Sequence, residues 1–423
     1  MTPAPVRRAL LRCLLLGIGL CATSLSIARQ APGPTDFQIV ESVPEATSFG
    51  QPGVPRTGDV WLNMIGHAAH SIDIAAFYIA DKPGSALSLV INALVARAKA
   101  GVHLRILVDQ GFLKDNAETV ARLREVNGVQ VRELPMAKLM GGVLHAKYMV
   151  VDGHSVFVGS QNWDWRALEQ IHEIGARIND ERTARTFDAA FELDWNAAGK
   201  PDQGLIAKSL VRPLDFPPVT AADPAIIHDQ DGSSLTLYPA FSPPGLTPHA
   251  LTAEEPALVQ MIQGSQHTLR VQVMTLSAIR HFGPKGWWSS VDTAMRDAAA
   301  RGVKVRIILA DWALQDDMQA YLKSLAVLPN VAVKFTQLPP SPQGFIPYAR
   351  VEHAKYAVAD DRTVYIGTGN WEWSYFNTTV DASVFVTGTG PAQTLASIFD
   401  HDWDGPYAQS LDPAVHYQAP RNH

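Results

Sequence analysis

The chain has 423 residues, 47% of them hydrophobic and 18% charged, with a net charge of −6. That length accommodates two domains of ordinary size, and the apolar content excludes a disordered chain. No basic run announces a nucleic-acid or anionic-membrane partner, so either would need a local positive groove.

The N-terminus, "MTPAPVRRALLRCLLLGIGLCATSLSIARQ", opens with the three arginines Arg7, Arg8 and Arg12 and no acid, then an apolar run and the small-x-small site Ser26-Ile27-Ala28. This reads as a secretory signal over residues 1–28, which sends the protein to the periplasm or the medium. The alternatives are an uncleaved anchor, for which the run after Arg12 is short, and a lipoprotein, for which Leu20 before Cys21 is bulky. Both cysteines, Cys13 and Cys21, lie in this segment. The mature chain would form no disulfide and have no thiolate metal site or cysteine nucleophile.

Strands and helices then alternate. Ser71–Ile79 alternates as a strand, Ser85–Gly101 has helical periodicity with a glycine stop, and Val102–Asp109 is again a strand. "AETVARLREVNG" predicts a second helix and "VQVREL" a third strand. The later half repeats this order, with strands at "TLRVQVMTL", "VKVRIIL" and "VAVKFTQ" separated by helices ending near Gly302 and Leu325. Such alternation implies α/β lobes, each a mostly parallel sheet covered by helices. Residues 29–196 form the first lobe, 197–234 a Pro-, Gly- and Asp-rich linker, 235–410 the second lobe and 411–423 a tail.

One constellation occurs twice. "HAKYMVVDGHSVFVGSQNW" begins at His145, and "HAKYAVADDRTVYIGTGNW" begins at His353. Lys147 and Lys355, Asp152 and Asp360, Gly159 and Gly367, Ser160 and Thr368, and Asn162 and Asn370 all share the 208-residue offset of the histidines. Glu173 and Asp381 share it too. The chain is therefore a duplicated unit.

The residue types suit a phosphate. Lysine supplies a point charge and asparagine supplies amide donors. On a strand, His145 and Lys147 share a face, whereas Asp152 points away and is expected to brace structure. Gly159 should allow a tight turn before Ser160 and Asn162. Two units brought together give two histidines. One attacks phosphorus covalently, and the other protonates the leaving oxygen and then activates water or an alcohol. The lysines take the electrostatic role that metals fill elsewhere, so no metal or cofactor is expected. Glu173 and Asp381 would orient the imidazoles from their far nitrogens.

The duplicated H-x-K-x4-D-x6-G-S/T-x-N pattern resembles the phospholipase D superfamily, with every position filled in both copies. The resemblance implies two α/β lobes meeting at a shared site and a metal-free phosphohistidine mechanism, with His145 as nucleophile and His353 as general acid. Flanking stretches are similar to one branch, the lysosomal phospholipase-D-like 5′-exonucleases and their poxvirus envelope relatives. They are Ile39–Glu45, His70–Tyr78, Gly159–Leu168, Ser242–Pro248 and Gly367–Phe376. Those lumenal relatives are membrane-anchored and disulfide-bonded, whereas this mature chain would lack cysteine.

Trp163, Trp165, Trp371 and Trp373 flank the two asparagines and are assigned to the core of the lobe interface, with base stacking as the alternative. If a base binds, Trp373 and Tyr375 are the expected contacts. His67, His70, His103 and His154 lack a partner pattern and are read as surface or packing residues, and no metal-ligand cluster is apparent. Three classes result. A 5′-exonuclease on single-stranded nucleic acid follows the branch resemblance, and a phospholipase or transphosphatidylase follows the superfamily. A non-catalytic binder should have lost at least one motif position. One chain carries both half-sites, so it should act as a monomer without an obligate protein partner.

Overall fold

A computed structural model of the chain describes residue 1 and residues 35–113, 117–199 and 202–421. Apart from Met1, the expected signal segment with both cysteines lies outside the described residues.

Each half builds one mixed sheet. In the first, the strand order is Phe37–Ser42, Glu173–Asn179, Ser155–Gly159, Tyr148–Val151, Ser71–Ala76, His103–Asp109, Val129–Leu134. The last three pair in parallel through helices Ala86–Lys99 and Ala117–Arg124. Ser85 caps the first of these helices by accepting from the Ser88 amide at 3.3 Å, and Gly101 follows it in the left-handed region at φ +97°. The other four pairings are antiparallel. The expectation of mostly parallel sheets thus holds only for the crossover strands. The repeated motif folds as a hairpin, and a tight turn can join only antiparallel neighbours.

The second sheet repeats this order from Ser234–Ser242 through Asp381–Thr387, Thr363–Gly367, Lys355–Ala359, Thr268–Val273 and Lys304–Ala310 to Val331–Thr336. It adds the edge strands Ala225–His228 and Ala408–Ser410. The stretch expected as linker is therefore not irregular throughout. Helix Glu181–Gly199 runs into it, Gln203–Leu210 is helical, and Ala225–His228 pairs onto the second sheet. The tail also begins packed. Leu411 is buried and donates its amide to Val333 at 2.9 Å, and the Tyr417 ring meets Phe335 at 5.0 Å.

The two sheets share a core. One apolar cluster joins Val156, Val158 and Ile174 of the first to Val364, Ile366 and Val384 of the second. Two others lie within single halves. Truncating such a residue to alanine costs about 2–5 kcal/mol. This shared core sets the two motif hairpins against each other.

Candidate active site

At each hairpin turn the motif aspartate sits at φ +53°, the left-handed region that Asp tolerates better than most residues. Asp152 accepts from the amides of Ala69, His70 and Ser71 at 2.7, 2.7 and 2.8 Å. Asp360 accepts from Gln266, His267 and Thr268 at 2.8, 2.7 and 2.9 Å. Each pins its hairpin to the start of the neighbouring strand. Their carboxyls lie below the ordinary range, because these amide bonds outweigh modest burial.

Gly159 does not serve a turn. It ends a strand outside the left-handed region, and a Cβ there would stand 2.3 Å from Gln161 Oε1 and 2.5 Å from Gly175 Cα. Glycine is needed because the strand carrying Glu173 passes that close. At Gly367 a Cβ would meet the Tyr365 hydroxyl at 2.1 Å.

The far ends of the hairpins converge. His145 Nδ1 lies 3.0 Å from Asp381 Oδ1, and His353 Nδ1 lies 2.8 Å from Glu173 Oε2. Each histidine is thus held by the carboxylate of the opposite lobe. The backbone bridges the lobes in the same places. The His145 amide donates to Val380 and the His353 amide to His172, both at 2.9 Å. With Nδ1–H given to a carboxylate, Nε2 of each ring carries the lone pair. Thr368 Oγ1 donates to Asp381 Oδ1 at 2.6 Å and accepts from the Ala382 amide at 3.0 Å. Ser160 Oγ accepts from the Ile174 amide at 3.0 Å. These hydroxyls anchor the strands that present the two carboxylates.

All of this is buried. Lys147 and Lys355 are fully enclosed, and each ammonium donates to the carbonyl of the histidine two residues before it. Burial pushes the lysines down, Lys355 to about 7, while Glu173 and Asp381 favour their charge. Burial also raises both carboxyls, Asp381 to about 7, against the pull of the lysines. It lowers both histidines well below the ordinary imidazole range, and the two lysines lower them further. A bound phosphate anion would reverse the lysine contribution and make one imidazole easier to protonate. The side-chain oxygens of Asn162 and Asn370 are buried without a hydrogen-bond partner. A phosphodiester offers only acceptor oxygens, so it would be held by the N–H groups of these carboxamides and not by their oxygens.

The aromatic residues divide. Tyr375 stands edge-on to His145 at 5.0 Å, and its hydroxyl accepts from Asn370 Nδ2 at 3.1 Å. Trp373 instead lies against Gly283, with the Arg280 guanidinium 4.7 Å from its ring. Trp163 and Trp371 are buried within single lobes and not at the lobe interface. Trp165 is half-buried beneath Lys82. Phe77 was not anticipated. The first strand breaks after Ala76, and the Phe77 ring comes within 5.0 Å of His145. His67, His70, His103 and His154 are exposed.

Sequence reasoning also missed a buried cluster beside the site, formed by Glu41, His172, Glu352 and Asp402. His172, Glu352 and Asp402 lie close enough to hold a cation, so the expectation of no ligand cluster needs correcting. The available signal was adjacency: His172 precedes Glu173, and Glu352 precedes His353. A cavity of about 1140 Å³ beside Asp73, Arg105 and Glu192 shares no residue with the histidine site.

Residues 61–195 and 258–403 match the family described as "Cardiolipin synthase, PLD-like domain". The chain is similar to the 5′-3′ exonuclease PLD3 of Bos taurus, 34% identical over 419 residues, 92% of this chain and 83% of the relative. It is also similar to the 5′-3′ exonuclease PLD4 of Mus musculus, 32% identical over 422 residues, 92% and 82% of the respective chains. Among solved structures, the phosphatidylserine synthase of Haemophilus influenzae Rd KW20 shares the fold at a TM-score of 0.60 and 12% identity, covering 89% of this chain and 87% of that one.

Proposed function

Because the chain belongs to the phospholipase-D-like family, and is a phosphodiesterase of that superfamily, we propose that it trims single-stranded nucleic acid from the 5′ end through a covalent phosphohistidine. The observation that carries the reaction is the pair of crossed His–carboxylate contacts, His145–Asp381 and His353–Glu173. His145 Nε2 attacks phosphorus. A P–N bond forms, the P–O bond to the leaving strand breaks, and His353 gives its proton to that oxygen. Water then gives a proton back to His353 and attacks phosphorus, and the P–N bond breaks. Lys147, Lys355, Asn162 and Asn370 hold the phosphoryl oxygens, and Tyr375 borders the site beside His145. Glu173 and Asp381 stabilise whichever imidazolium forms.

The substrate class rests on the exonuclease relatives, each similar over most of its length. Phospholipid is the second reading, because a phosphatidylserine synthase shares the fold. The decisive assay offers the purified protein, in chelator, 5′-hydroxyl single-stranded DNA beside phosphatidylcholine and phosphatidylglycerol. Mononucleotide release supports the proposal. Headgroup release without mononucleotides moves the protein to the phospholipases. A monomer acting after export, with the first 28 residues removed, completes the reading. Among the described residues no helix is long and apolar enough to cross a membrane.

A further inference from the structure

The two half-sites are not equal. On the His145 side the lobes meet through the bridge Leu144–Val380, and on the His353 side through His172–Glu352. The offset of 208 relates these positions. An apolar pair on one side is an ionisable pair on the other. A third neighbour follows suit. Ser42 pairs with Glu173 and Ser242 with Asp381, so Glu41 corresponds to Phe241.

His172 is fully buried. Its Nδ1 is 2.6 Å from Glu352 Oε2, and its Nε2 is 3.1 Å from Glu41 Oε1. Asp402 Oδ2 stands 3.6 Å from Nδ1, and Phe49 stacks on the ring at 4.5 Å. An imidazole satisfies carboxylates at both nitrogens only as a cation with two N–H donors. Taking these charges out of water costs several kcal/mol per ion, and well-packed apolar residues are often at least as stable. The opposite side of this same interface uses such residues. Stability alone therefore gives no reason for the cluster.

We propose that Glu41, His172 and Glu352, with Asp402 beside them, form a positioning device for the His353 half-site; the first three stand on one side only, whereas Asp402 has the buried Asp194 as its counterpart, and the two histidines thereby take unequal roles. The connectivity supports this. The His172 carbonyl accepts the His353 amide, Glu173 follows His172 in sequence, and Glu352 precedes His353. Clamping His172 to Glu352 thus fixes both members of the His353–Glu173 pair. Charge acts in the same direction. The charged and titratable groups facing His353 are Glu173, Lys355, Lys147 and His145. Those facing Glu352 are His172, Asp402, Lys355, Glu173 and Tyr356, with Glu41 and, through it, Arg56 beyond His172. Glu352 favours the Lys355 ammonium, whereas Leu144 provides no carboxylate for Lys147. The Lys355 ammonium itself opposes a second positive charge on His353, and the Glu352 carboxylate offsets part of that repulsion for the general acid, which nothing at Leu144 does. His145 is left as the neutral nucleophile.

The inference rests on the two-histidine reading, and its test does not depend on the natural substrate. Wild type is compared with Glu352→Gln and with a triple variant, Glu41→Phe with His172→Val and Glu352→Leu, which copies the opposite side. Bis(4-nitrophenyl) phosphate reports turnover, thermal melting reports folding, and elemental analysis reports bound metal. Folded Glu352→Gln should lose about tenfold in kcat with KM nearly unchanged. Its alkaline limb should move to lower pH, because losing a nearby negative charge lowers the acid's pKa. The triple variant should melt no lower than wild type and still lose kcat; if it does not fold, Glu352→Gln carries the test. Unchanged kcat and pH profile in folded Glu352→Gln overturn the proposal. So does one divalent ion per wild-type chain that Glu352→Gln releases, which would make the cluster a metal site. A wild type without turnover overturns the two-histidine reading and this inference with it.

Discussion

Replacing Asp152 should separate the motif's structural part from its chemistry. Asp152 accepts three amide hydrogen bonds of 2.7, 2.7 and 2.8 Å and sits at φ +53°. The amides of Ala69 and His70 are exposed, so water replaces most of what Asp152→Ala removes there. The Ser71 amide is less accessible, and a hydrogen bond to a charged group is worth about 1.5–3 kcal/mol. Alanine in the left-handed region adds about 1–2 kcal/mol. The total is roughly 2.5–5 kcal/mol, a drop in melting temperature of about 3–6 °C for a chain of this length unfolding as one unit. Asp152→Asn keeps an acceptor and tolerates that backbone, so it should cost less than half as much. Below its melting transition, Asp152→Ala should keep kcat within about tenfold of wild type, because its carboxylate reaches no reacting atom. Calorimetry and kcat on one protein sample test both parts. A folded Asp152→Ala that loses as much kcat as His145→Ala would refute the bracing role.

His145→Ala and His353→Ala should each lose several orders of magnitude in kcat, since the two act as a unit. Mass spectrometry of His353→Ala after mixing with substrate should find the phosphoryl adduct on His145, and an adduct on the other histidine in His145→Ala would reverse the roles. Asp381→Asn should lower kcat through His145 although it lies in the other lobe, and normal phosphorylation of His145 in that variant would contradict the crossed contact. His145 must be neutral to attack, and burial and the lysines lower its pKa. Single-turnover attack should therefore persist as pH falls below the ordinary imidazole value of about 6.5, and loss of attack centred at or above that value would count against it. Turnover should survive chelator, because lysines occupy the metal's electrostatic role. Loss that one added metal restores would contradict this.

The duplication made much of this protein legible before any fold was known. Equal offsets paired His145 with His353 and Glu173 with Asp381, and residue chemistry limited what such a set could do. Strand periodicity likewise turned Asp152 away from His145. The antiparallel hairpin was harder to read, because parallel and antiparallel strands share the same alternation and differ only in the partner they find. Trp373 and Tyr375 looked interchangeable in sequence, yet one reached His145 and the other Gly283. Two residues apart on a short helix, they point in different directions.

Sequence alone determined the inventory: two imidazoles, two ammonium groups, two carboxamides and two carboxylates, repeated in register. It did so because a duplicated gene segment keeps its spacing. Only the tertiary structure decided which carboxylate serves which histidine. The contacts cross between lobes because the shared core sets the two motif hairpins against each other, and the backbone bridges His145 to Val380 and His353 to His172. It also decided that His172 is the buried partner of Glu41 and Glu352. Those three residues are far apart along the chain, and no periodicity marks a contact that forms only when two lobes close on each other.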